Sequence, residues 1–211
     1  MENKERIRFA IGAAINFTVF AIAIYCMVTF IGYIVRGSGD NRFIYYTNIS
    51  NITVGFLSLV HGTLLVISIL KRQMIVPKAF SIIKYISITM TTLTFFVVLF
   101  AIWPVIGFID SYGGLRFFTH FFNPVVIVIS YLFFEERIQY DWKYSWLGVL
   151  PAAIYTTVYV INVVGLGSWP DIYRINAKGL WYVYMIIINL GGVGLDQGLY
   201  FLKRFIIKKS H

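Results

Sequence analysis

The chain has 211 residues, 59% of them hydrophobic and only 13% charged, with a formal net charge of +9. Runs of about 20 apolar residues recur along it, each long enough to cross a bilayer, which excludes a water-soluble domain and predicts a polytopic membrane protein. The basic residues cluster beside these runs, where they hold topology and touch anionic headgroups, so the charge argues for a membrane partner and against nucleic acid.

Six segments follow in chain order, at about 7–35, 44–70, 80–109, 115–134, 145–166 and 179–202. The fold class expected is therefore an all-α membrane protein, a six-helix transmembrane bundle forming a single domain over 1–211. The first span carries Cys26, the lone cysteine, so no intrachain disulfide can form. Its apolar run is far longer than a signal-peptide core of roughly 7–15 residues and predicts an uncleaved anchor. The breaks between spans run from Arg36 to Arg42, Lys71 to Gln73, Asp110 to Gly114, Glu135 to Lys143, and Gly165 to Asp171, each bringing glycine, proline or charge where a helix should stop.

Sorting the 18 basic residues by side puts thirteen on the side of both termini, counting Lys84 with the second break and Lys203 with the tail, and five on the other. That bias predicts cytoplasmic termini, which requires an even number of spans.

On the second span Thr47, Asn51, Val54, Ser58 and His61 recur at spacings of four and three and share one face. Such a face must point into the bundle, because amides and imidazoles lack partners in hydrocarbon. His120 in the fourth span lies five residues after Leu115, about as deep as Thr47 lies beyond Phe43. A neutral imidazole at that depth can take the threonine proton and later return it to a leaving alkoxide. Asn51, Asn123 or backbone amides are candidate oxyanion donors, and Pro124 is expected to leave the His120 carbonyl without its helical partner. In the fifth span Tyr155, Tyr159 and Asn162 reach the same outer half and are candidates to line the same cavity.

His61 and Asp196 are read as packed structural residues, Asp196 either paired with a lysine or protonated. The threonines at 89, 91, 92 and 94 are read as bonding back to their own helix. No HExxH, Walker, CxxC or GxSxG motif occurs, and the three histidines lack ligand spacing. No metal and no cofactor are expected.

The six-span layout, Tyr45-Tyr46-Thr47 with Asn51 behind it, the His120 to Pro124 stretch and the Trp169-Pro170-Asp171-Ile172-Tyr173 loop resemble the androgen-induced and androgen-dependent membrane protein family. The resemblance is nearer its small bacterial relatives, since Ser50 and Asn51 depart from the animal pattern. It implies a bacterial plasma-membrane hydrolase, with Thr47 as nucleophile and His120 as base. The implied substrate is a lipid ester, such as a fatty acid esterified to a hydroxy fatty acid. A more distant set of six-span proteins transfers acyl chains between lipids, and a non-enzymatic lipid binder or transporter is the remaining alternative.

Overall fold

The computed structural model describes residues 1–37, 42–138, 140–176 and 178–209; Ser38 to Asn41 of the first break and His211 lie outside them. Its helices include six long and apolar enough to span a membrane, and no strand occurs among the described residues. They are α1 (Asn3–Val35), α2 (Tyr46–Lys71), α3 (Lys78–Ile106), α4 (Leu115–Phe134), α5 (Trp142–Gly165) and α6 (Trp181–Lys209). The last runs seven residues past the apolar segment read from the sequence, because Lys203, Arg204, Lys208 and Lys209 are good helix formers although they end a hydropathy run.

Large apolar side chains cover the outside, among them Leu70, Phe100 and Ile109, while the interior combines apolar clusters, such as that of Val19, Val54, Ile88 and Ile127, with many buried hydroxyls and amides. The placement of the polar groups is what a hydrocarbon solvent demands, since each must find its partner within the protein. The central pillar is α3. Its Ser87, Thr89, Thr91, Thr92 and Thr94 are buried and each donates to a carbonyl three or four residues back. The pair α1 and α2 pack most extensively: a Cβ placed on Gly55 would sit 2.3 Å from the Ala23 Cβ. Small residues permit this close approach, the usual means of helix association where no hydrophobic effect separates helix from lipid.

Two prolines shape the end of the bundle remote from the termini. In α3 the Trp103 amide bonds the Val98 carbonyl, and in α4 the Asn123 amide bonds the Phe118 carbonyl, so each helix carries a π-turn that closes one residue before its proline. A proline inside an α-helix lacks its donor and presses on the carbonyl four residues back; a wider turn relieves both. Between the two helices, Phe108–Tyr112 forms a short helical turn flanked by Gly107 at φ +87 and Gly114 at φ +58. At the opposite end α4 stops early in a second π-turn, Ser130–Phe134, and Glu135 follows in extended conformation. The chain thereby turns back into the protein with two acidic residues in hand.

Candidate functional site

Thr47 occupies the second residue of α2, at a helix start with no side-chain cap. The Tyr46 amide donates to the Tyr173 hydroxyl at 3.2 Å, whereas the Thr47 amide and hydroxyl have no hydrogen-bond partner among the described residues. Helix starts concentrate unpaired N–H groups and partial positive charge, so Thr47 stands where an oxygen anion is favoured.

Asn51, one turn along, is buried and spends both of its amide hydrogens on backbone. It donates to the Thr47 carbonyl at 2.8 Å and to the Thr119 carbonyl of α4 at 2.9 Å, and its oxygen accepts from Asn123 at 3.1 Å. Spans two and four are therefore neighbours at this level, joined through Asn51. The freed carbonyl differs from the one expected. With α4 in π register before Pro124, the missing proline amide is the partner of Thr119, five residues back, and Asn51 supplies the absent donor. Asn51 is thus a fastener rather than a free oxyanion donor. Asn123 is fully buried with its Oδ1 unpartnered, and its amide faces Asn51. Replacing Asn51 by leucine is expected to cost about 1–3 kcal/mol by orphaning the Thr119 carbonyl, measurable as a lowered unfolding midpoint in detergent.

His120 sits one residue beyond that junction, partly buried, with Nδ1 2.6 Å from the Ser111 carbonyl in the turn between α3 and α4. A carbonyl only accepts, so Nδ1 carries the proton and Nε2 presents a lone pair. No described residue bonds Nε2.

The remaining outer candidates hold the scaffold. Tyr155 donates to the Ile44 carbonyl at 2.8 Å and packs its ring 5.0 Å from Tyr46, next to Thr47. Tyr159 donates to Asp171 and accepts from the Tyr173 amide, while Asp171 also receives the amides of Ile175 and Asn176. Burial pushes the Tyr173 phenol above its ordinary range, so it stays a neutral hydroxyl that accepts from the Tyr46 amide. Both α5 tyrosines thus brace the α5–α6 loop against the start of α2. Asn162 bonds its own helix and Ser168, remote in contact from Thr47 and His120.

A second constellation, near the end bearing the termini, was not read from the sequence. Glu135, Glu136, Lys84 and Lys203, assigned there to breaks and tail, are all buried in the bundle around His61. Discounting the two lysines leaves eleven basic residues on that side against five, so the charge bias survives. The Nε2 of His61 lies 2.8 Å from Glu136 and its Nδ1 3.5 Å from Glu135. Lys84 donates to Ser58, Lys203 lies over the Tyr131 ring at 4.0 Å, and Glu135 accepts from Asn16 at 2.9 Å and Ser130 at 2.8 Å. Ser81 donates to Glu136 at 2.7 Å. Burial would raise both carboxyls, but His61 first and then the lysines outweigh it and hold them below the usual carboxylate range.

Ligand atoms of His61, Glu135 and Glu136 lie within 4.8 Å of one another, close enough to surround a cation, which histidine spacing alone did not suggest. Yet both ring nitrogens face carboxylates and two ammonium groups stand nearby. This set fits internal charge pairing better than an added positive ion. The sequence signal for the cluster was a lysine one turn and a half inside an apolar run. Asp196 forms a separate buried network, accepting from Thr89 and Gln197 with no lysine in salt-bridge reach among the described residues. No protein-family model, curated protein or solved structure matches this chain.

Proposed function

We propose that the chain is an intramembrane hydrolase of lipid acyl esters, with Thr47 as nucleophile and His120 as general base. The observation that carries this reading is the orientation of His120: its Nδ1 is anchored on the Ser111 carbonyl while Nε2 is unengaged, on a helix that Asn51 fastens directly to Thr47. In the first half-reaction Nε2 takes the Thr47 proton as the hydroxyl oxygen attacks the ester carbonyl. The tetrahedral oxyanion is stabilised by the Thr47 amide and the start of α2, and the imidazolium protonates the departing alkoxide. Water then attacks the acyl-threonine with His120 again as base, releasing the fatty acid.

This reading keeps the chain with the androgen-induced and androgen-dependent membrane proteins. The excess of basic residues at the other end supports cytoplasmic termini and a reaction in the extracytoplasmic leaflet. A fluorophosphonate probe tests the nucleophile. Labelling is expected in the wild type and in Thr47→Ser and to vanish in Thr47→Ala; equal labelling of Thr47→Ala rejects the assignment.

A further inference from the structure

Between α3, α4 and α6 runs an apolar groove of about 580 Å³. Its volume is within the roughly 300–1,000 Å³ usual for ligand pockets. Helices α4 and α6 meet near Ser130–Phe134 and diverge toward the middle of the bundle, leaving α3 as the floor. On α6 the wall is open because Gly194 and Gly198 present no side chain, and a Cβ added at either would meet nothing within 4 Å. The groove faces sideways into hydrocarbon.

Its upper end abuts the outer polar site on two helices. On α4 it begins at Pro124, one turn beyond His120 on the same face. On α3 it begins at Phe95 and Phe96, where the Phe95 ring lies 5.9 Å from that of Phe121 and the adjoining Thr94 bonds Ser50 at 3.1 Å, on the turn that follows Thr47. From Gly194 to Leu202 the wall extends about 12 Å along the axis at 1.5 Å per residue. An ester whose carbonyl sits between Thr47 and His120 therefore has an apolar channel leading away from it, accessible from the side on which membrane lipids arrive.

We infer that this groove holds the acyl chain of the ester, so that Gly194 and Gly198 set the chain length the enzyme accepts. The inference rests on the hydrolase reading and names its substrate class: an ester with one long unbranched chain, taken laterally from the bilayer. Because lipid tails are as apolar as the groove, little affinity comes from burial. What the channel supplies is orientation, holding the carbonyl against the hydroxyl instead of letting it diffuse through the leaflet.

The test compares hydrolysis of 4-nitrophenyl octanoate and 4-nitrophenyl palmitate by purified wild type and Gly198→Leu, a position one turn further along α6 than Gly194. Palmitate turnover is expected to fall about tenfold relative to octanoate turnover in the variant, and an unchanged melting temperature reports that the fold is intact. Equal rates on both esters in wild type and variant, or an equal loss on both, overturns the groove while leaving the hydrolase reading standing. Absence of hydrolysis by the wild type removes the hydrolase reading. In that case photocrosslinking with a diazirine-bearing palmitate decides the groove separately. Adducts on the groove walls that are lost in Gly198→Leu support it, and adducts spread over all lipid-facing helices overturn it. Crosslinking of two copies through α6 assigns the groove to a second chain and overturns it as well.

Discussion

With His120 as the proposed general base, ester hydrolysis is expected to fall about 10²–10⁴-fold in His120→Ala, the range a positioned general base contributes. The side chain also makes a structural bond, to the Ser111 carbonyl. Magnitudes separate the two roles. A neutral hydrogen bond contributes about 0.5–1.5 kcal/mol to stability, whereas loss of a base raises the barrier by about 3–5 kcal/mol. The variant should therefore stay folded in detergent, with a melting temperature lowered by a few degrees, while its turnover collapses. Added imidazole should recover part of the rate, since the vacated position can admit a small base. A loss of less than threefold, or a rate that tracks the melting temperature, would assign His120 to scaffolding alone.

His61→Ala is expected to destabilise the protein by about 3–5 kcal/mol, the cost of leaving buried carboxylates without their partner. For a chain of this length each kcal/mol moves the melting temperature by about 2–4 °C, so a drop of roughly 6–20 °C is the result to look for. The fivefold variant His61→Leu, Lys84→Met, Glu135→Gln, Glu136→Gln, Lys203→Met should regain most of that loss, because a whole buried charge group replaced by neutral groups of similar shape is often close to neutral in stability. Acid should act like the single substitution. The carboxyls of Glu135 and Glu136 are held below their unfolded values, so their contribution is full above the ordinary carboxylate range and disappears as pH falls through the depressed folded values. If the single and fivefold variants melt alike, the five groups are not coupled.

The spans were legible because a bilayer imposes long apolar runs, and the Thr47 and Asn51 face because helical periodicity holds through α2. The Asn51 link to α4 was not, since it depends on a π-turn that shifts the orphaned carbonyl from His120 to Thr119. A reading at 3.6 residues per turn misassigns it by one position. The ionic cluster escaped for another reason. Charges at the ends of apolar runs carry the same topological signal whether they face headgroups or fold inward. Only the early end of α4 and the convergence of five helices decide that Glu135, Glu136, Lys84 and Lys203 go inside. Tyr155 packs beside Tyr46, one residue from Thr47, and Tyr159 against the α5–α6 loop; their spacing along α5 does not say which partner each hydroxyl takes.

The amide that Asn51 lends to α4 bears on how the protein is built. Alone in lipid, α4 would carry a bare carbonyl at Thr119, a group that hydrocarbon does not tolerate cheaply. Its missing donor belongs to a helix made earlier in synthesis, 68 residues upstream. Because synthesis runs from the N-terminus, α2 is already made when α4 emerges, and the donor that α4 lacks is waiting for it.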